Sequence, residues 1–300
     1  MSRGDSARFA IVGGSGLYEL AGVERPREVR LSTPFGEPSD VILIGGLAGC
    51  EVAFLARHGT NHRLLPSEIN YRANLYALKT LGVERVLSVS AVGSMRERIR
   101  PRDVVLVDQF IDRTVHRAAT FFGDGVAAHI AFGDPVCAET RSVLLAASKA
   151  QGVRAHDGGV YLCMEGPAFS TRAESRLYRS WGVDVIGMTN AQEAKLAREA
   201  EICYATMAMV TDYDCWHEEE QDVSIVGVLE NLEANSLHAA EIVREAVRRL
   251  SEGPRGCACA EALRHAIITP LDAISSETRD RLRPIIGKYV DRAAEDDPGS

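Results

Sequence analysis

The chain has 300 residues with 34 basic and 42 acidic side chains, a formal net charge of −8 at pH 7. A pI near 5.6 argues against a nucleic-acid-tracking surface, which should be basic overall, although one local anion site is compatible with it. The composition, 46% hydrophobic and 25% charged, is that of an ordinary globular protein near the upper size for one core, and the longest apolar runs, such as 202–210, are about half a bilayer span.

Strand-like runs rich in β-branched and apolar residues alternate with helical patterns. Strands are predicted over 8–12, 41–44 and 52–55, then a helix over 67–81, in which Ile69, Ala73, Tyr76 and Ala77 form one stripe. Strands follow at 86–91 and 104–107, a helix at 140–151, a long strand at 153–163 and a helix at 171–181. The chain continues with strand 183–186, helix 191–200, strand 202–211 and helix 223–250. Several strands are continuously apolar rather than alternating, as in a sheet buried on both faces. The expected fold is α/β, a single domain with a mixed, mostly parallel central sheet flanked by helices. It should span 8–292, with flexible tails at 1–7 and 293–300. The opening residues lack a charged stretch followed by an apolar core, so no secretory signal is expected and the protein reads as a soluble, cytoplasmic enzyme.

Glycine-rich and polar segments fall directly after strands, where open α/β sheets bind ligands. Gly13-Gly14-Ser15-Gly16 is neither a dinucleotide fingerprint nor a P-loop, and Ser15 is not in a nucleophile elbow. A turn offering N–H groups and one hydroxyl to an anion remains, and a plain glycine turn explains the segment equally well. Arg57 and His58 end another run and could hold an oxyanion. Asn190 and Glu193 are spaced as a capping box, which would put a helix N-terminus beside Thr189, favourable for phosphate. Asp212 and Asp214 share a face if their strand continues. They suit a divalent metal, a ligand carrying N–H donors, or a mere turn, and no third ligand stands at matching spacing for the metal. An anion pocket with a carboxylate pair would satisfy phosphate and an amino-purine together.

Seven cysteines are scattered without a secreted framework, and most sit in apolar runs as small buried hydrophobes. Cys257 and Cys259, in a polar stretch, could close a local disulfide or bind metal. No second Cys/His pair stands nearby at zinc-finger spacing, so no metal is expected.

The stretches 9–17, 54–61, 66–78, 88–114, 164–176, 182–189 and 204–216 resemble the 5′-methylthioadenosine phosphorylases of the trimeric purine nucleoside phosphorylase superfamily. Met-Glu-Gly-Pro-Ala-Phe-Ser-Thr-Arg-Ala-Glu-Ser at 164–175 and Thr-Asp-Tyr-Asp-Cys-Trp at 211–216 are its most specific motifs. The resemblance runs from about residue 7 to 250, and the later Cys257/Cys259 stretch is similar to that of microbial members, some of which form disulfides there. It implies a pentosyltransferase: phosphorolysis of S-methyl-5′-thioadenosine to adenine and 5-methylthioribose-1-phosphate, in purine and methionine salvage. It places phosphate against Ser15, Arg57, His58, Ser90, the Ala91 amide and Thr189, with Met188 by the ribose and Phe169 by the base. Asp212 would meet purine N7 and the 6-amino group as the catalytic residue, with Asp214 near the amino group. Val223, Ile225, Val228 and Leu229 would form an apolar 5′ pocket, with His129 offered by a neighbouring subunit of a homotrimer or homohexamer. Small-molecule nucleoside and phosphate are the expected partners, with no nucleic acid, membrane, metal or organic cofactor.

Base choice follows from hydrogen-bond polarity. Relatives that split 6-oxopurine nucleosides carry Glu at the position of Ser170 and Asn at that of Asp212. A 6-oxo group accepts, whereas a 6-amino group donates and suits carboxylates. Ser170 is therefore an expected specificity position, and the resemblance implies Ile225 of the 5′ pocket as a second. The chain departs from many relatives in having Ala191-Gln192 where they carry Val-Pro before Glu193. The alternative within the superfamily is phosphorolysis of inosine, guanosine or methylthioinosine. Outside it stand a nucleoside hydrolase and a non-catalytic nucleotide-binding module.

Overall fold

A computed structural model describes residues 6–14, 17, 21–217 and 225–295, apart from the side chains of 225–229 and 292–295. Eleven strands form one mixed sheet. In chain order they are β1 (Phe9–Gly13), β2 (Glu24–Val29), β3 (Ile42–Leu47), β4 (Cys50–Ala56), β5 (Arg85–Ser94), β6 (Val104–Leu106), β7 (Gln109–Asp112), β8 (Ala155–Asp157), β9 (Val160–Cys163), β10 (Val185–Gly187) and β11 (Cys203–Asp212). The helices are α1 (Tyr71–Thr80), α2 (Ala138–Ala150), α3 (Arg172–Ser180), α4 (Asn190–Glu199), α5 (Ile225–Ser251), α6 (Ser276–Arg281) and α7 (Arg283–Glu295). Single-domain α/β architecture with a mostly parallel sheet is therefore the observed fold.

The centre of the sheet is parallel. β1 runs parallel to β4 and β5, and β11 runs parallel to β5 along nearly its whole length. Every residue of β1 is buried, as are nearly all of β11, which explains their unbroken apolar sequence: helices cover both faces. The parallel arrangement also brings the carboxyl ends of β1, β4, β5 and β11 to one side of the molecule. β10 meets β5 antiparallel, with Ile186 opposite Gly93.

Three expectations need correction. The 153–163 run is two strands: β8 pairs with β6, and β9 with β7 and β10. Gly158 and Gly159 break it at φ 88° and 157°, and a Cβ on Gly158 would come 2.7 Å from an Asp108 carboxylate oxygen, so the turn there excludes larger residues. The strands β2 and β7, at the two ends of the main strand order, were not expected; β2 is mostly exposed, and β7 is only four residues long. The tails are shorter than expected. Ala7 is buried and its N–H donates to Leu81 O at 3.1 Å, and α7 continues past residue 292. Among the described residues, no helix is long and apolar enough to cross a membrane.

Candidate active site

The carboxyl ends of the central strands converge through backbone contacts. The Arg57 N–H donates to Gly13 O at 2.9 Å, locking the ends of β1 and β4 together. The Arg57 guanidinium is buried, as is Glu193 on α4. Its Nε and Nη2 donate to the two Glu193 oxygens at 2.5 and 3.0 Å. Nη2 also reaches Ser88 Oγ at 2.7 Å, and Nη1 reaches Val89 O at 2.9 Å. Burial disfavours the charged guanidinium, but the adjacent carboxylate more than offsets this and holds its pKa above the ordinary value. Tyr204 and Asn190 close the network: Tyr204 OH donates to Glu193 at 2.8 Å, and Asn190 Nδ2 donates to Tyr204 OH at 2.7 Å and Ser88 Oγ at 2.8 Å. A bidentate pair this well satisfied is a positioning device.

His58 follows directly. Its Nδ1 lies 2.9 Å from Leu64 O, and its ring stacks on His62 with centroids 4.1 Å apart. A carbonyl can only accept, so the proton sits on Nδ1 and Nε2 is left as an acceptor in the neutral ring. Burial, aided by the Arg57 charge, lowers the His58 pKa to about 4. Thr189 is the N-cap of α4 and is buried, with no side-chain capping bond. The fully buried Tyr161 phenol lies near the Ser90 side chain and the Thr189 backbone, though with neither in good hydrogen-bond geometry among the described residues. A Cβ at Gly187 would fall 2.0 Å from that oxygen, so glycine is required there.

On the other side, β11 ends in Asp212, beyond a register shift between Val210 and Asp212. Asp212 Oδ2 accepts from Thr211 Oγ1 at 2.7 Å, and Oδ1 accepts from the Asp214 N–H at 2.8 Å. Asp214 adopts φ 53° and accepts from Ser175 Oγ at 2.6 Å. Burial raises the pKa of both carboxyls, and in Asp214 the neighbouring Asp212 charge raises it further. No cation meets either group among the described ion pairs, and no third carboxylate or imidazole joins them as a metal site among the described residues. Gly93 makes the room: a Cβ there would approach Asp212 Oδ1 to 3.0 Å and Ile186 Cγ2 to 3.2 Å.

The buried Asp214 and the half-buried Asp212 thus stand at the same end of the sheet as His58, Ser90 and Thr189. Sequence comparison says which family builds such a site. The sequence model of the Phosphorylase superfamily matches residues 8–248. The chain belongs to this superfamily. Among curated relatives, the S-methyl-5′-thioadenosine phosphorylase of Geobacter sulfurreducens is 59% identical, covering 94% of this chain and 99% of its own. The enzyme of the same name from Koribacter versatilis is 57% identical over 94% and 97% of the two chains. A solved methylthioadenosine phosphorylase from an antarctic soil metagenomic library superposes with a TM-score of 0.90 at 49% identity, covering 94% and 99%.

Within this superfamily member, the structure draws together Arg57, His58, Ser90, Ala91, Met188 and Thr189 on one side and Asp212, Asp214 and Ser170 on the other. Ser170 is buried, its backbone O accepting from Cys215 Sγ at 3.2 Å. Phe169 is 55% exposed. His129 is exposed on a segment tied to the carboxy-terminal region by its N–H bond to Ala266 O, and so is not grouped with the others. Ser15 and Val223 lie outside the described residues, as do the side chains of Ile225, Val228 and Leu229.

Three expectations about local geometry are corrected. The Arg57 fork is occupied by Glu193 rather than open to an oxyanion. Asn190 is not a capping residue: it is the first residue of α4 and is fully buried in the Arg57–Glu193 network. The capping box that does form is at Thr171 and Glu174, at the start of α3. Asp212 and Asp214 meet through a turn rather than a shared strand face, since β11 stops at Asp212.

Arg117 was missed. Its buried guanidinium donates to Met188 O, to Glu165 O at 2.5 Å and Oε1 at 3.0 Å, and to Tyr71 OH at 3.1 Å. It ties the 164–166 loop to the loop carrying Met188 and Thr189. Nothing in its neighbourhood in the sequence marks it, because its partners lie far away along the chain.

Proposed function

We propose that this chain catalyses the phosphorolysis of S-methyl-5′-thioadenosine, giving adenine and 5-methylthioribose-1-phosphate. The relatives' shared activity and near-complete coverage support the reaction, and the half-buried Asp212 carboxyl at the end of β11 is the observation that carries the choice of base. As the N-glycosidic bond stretches, the ribose becomes oxocarbenium-like and the purine gains negative charge. A proton delivered to N7 makes adenine a better leaving group. A carboxyl whose pKa is raised by burial holds that proton more readily, which supports Asp212 as general acid, with Asp214 accepting from the 6-amino group.

In this reading phosphate binds at Ser15, His58, Ser90, the Ala91 amide and Thr189, and attacks the anomeric carbon. Its charge also stabilises the developing cation. Because Glu193 neutralises Arg57, much of the phosphate is met by neutral donors and by the uncapped start of α4. His58 Nε2, an acceptor in the neutral ring, suits the P–OH of monohydrogen phosphate. Met188 packs by the ribose, Phe169 by the base, and Val223, Ile225, Val228 and Leu229 close around the methylthio group with His129 of a neighbouring copy. Ser170 and Ile225 tune specificity. The reaction as proposed uses no cofactor, phosphate being a co-substrate, and runs in the cytoplasm in a homotrimer or homohexamer; the exposed Phe169 and His129 support an assembly that covers them.

The test is adenine release from methylthioadenosine with and without phosphate, beside methylthioinosine, inosine and adenosine. Phosphate-dependent release, fastest with methylthioadenosine, is expected. Phosphate-independent release would identify a hydrolase, and faster turnover of a 6-oxopurine nucleoside would overturn the roles of Asp212, Asp214 and Ser170.

A further inference from the structure

The amino end of β11 carries a second cluster, remote from Asp212. The sulfurs of Cys137, Cys203, Cys257 and Cys259 all lie within 4.8 Å of one another, with Cys203 and Cys257 at 3.3 Å. All four cysteines are free. No second pair stands near Cys257 and Cys259 along the chain; the fold brings Cys137 and Cys203 to them from far away.

Their backbones are placed by contacts that do not involve sulfur. The Cys137 N–H donates to Tyr204 O at 2.9 Å, setting the start of α2 against β11, and the Cys203 N–H donates to Glu84 O at 2.9 Å. The loop after α5 is pinned by the Gly256 N–H to Glu139 at 2.9 Å and by Arg255 to Glu201 O at 3.0 Å.

We propose that these four thiols form a structural zinc site that fastens the segment after α5 to the start of α2 and β11. A tetrahedral Zn–S₄ centre with Zn–S of about 2.3 Å needs sulfurs about 3.8 Å apart, within the spread observed. Four protein ligands leave no open position, the arrangement of structural rather than catalytic zinc. Binding displaces the four thiol protons to solvent and leaves a cluster of net charge −2. Arg85 suits that charge. It is almost fully buried, it is the register partner of Cys203, and its Nε lacks a protein acceptor, although Nη2 pairs with Glu139 at 2.6 Å. The strand separates this site from Asp212 by roughly 30 Å, at about 3.3 Å per residue, so the metal takes no part in the reaction proposed above.

The test uses the full chain, purified under reducing conditions without chelator and with zinc in the growth medium. About one zinc per chain is expected by elemental analysis, released when a mercurial titrates the thiols. Cobalt exchanged into the site should show thiolate-to-cobalt charge transfer and the intense visible bands of a tetrahedral ion. The Cys257→Ser/Cys259→Ser variant should lose the metal and melt at lower temperature, while phosphorolysis stays within about twofold of wild type. Should the variant fail to fold, the mercurial release from the wild type decides. Zinc below about a tenth per chain with no cobalt uptake would overturn the proposal. So would a thiol count showing these cysteines joined as disulfides in freshly purified reduced protein.

Discussion

Two pairs of ionisable side chains lie at the same end of the sheet and are treated in opposite ways. The Arg57–Glu193 pair has its carboxylate oxygens and most guanidinium donors satisfied within the protein. Among the described residues, Asp212 and Asp214 accept from neutral donors: the Thr211 and Ser175 hydroxyls and backbone N–H groups. The lesson is that compensation separates structure from chemistry here. A charge with a full set of partners holds the ends of β1, β4, β5 and α4 in register, whereas a carboxyl left short of partners keeps a raised pKa and is available to a substrate.

Breaking the compensated side should cost the most. Glu193→Ala leaves the Arg57 guanidinium buried without its counter-charge, and a loss of about 3–5 kcal/mol of stability is expected. Thermal or denaturant unfolding of the variant reads this directly; an unchanged midpoint would mean that the pair contributes nothing to holding the strands.

Glu199 offers an intermediate case outside the site. It accepts from Thr120 Oγ1 and the Phe121 N–H, each at 2.7 Å, and burial raises its pKa to about 7 despite them. With the folded pKa above the unfolded value, its contribution is present at acid pH below the unfolded pKa and lost as pH rises through about 7. The loss is on the order of 3 kcal/mol. Melting temperature should therefore fall with pH over that window in the wild type, and less in Glu199→Gln.

Gly93→Ala probes the room beside Asp212. The added methyl would stand 3.0 Å from Asp212 Oδ1, so a cost of about 1–3 kcal/mol is expected, appearing in kcat more than in folding. Activity and melting temperature measured together separate the two.

The α/β alternation was legible because strands covered on both faces are written as unbroken apolar runs, as in β1 and β11. β2 escaped because an edge strand is held by its backbone bonds to β3 and leaves no pattern in its side chains. The site was half legible. Asp212, Thr189 and His58 sit directly after strand runs and declared themselves by position. Asn190 and Glu193 misled because their spacing fits a local cap, while their real partners, Ser88, Tyr204 and Arg57, come from three other elements. Arg117 and the four-cysteine cluster are likewise made by contacts between distant segments, which no local spacing encodes.

The central claim, that the uncompensated Asp212 carboxyl acts on the departing base, is tested by Asp212→Asn. The pH profile of kcat/KM for methylthioadenosine should be compared with that of the wild type. The account predicts a fall of about 10²–10⁴ at neutral pH with melting temperature unchanged or slightly raised, since the amide carries no charge to desolvate beside Asp214. It also predicts loss of the limb on which wild-type activity declines as rising pH ionises Asp212. A variant with wild-type turnover and the same alkaline limb would contradict it.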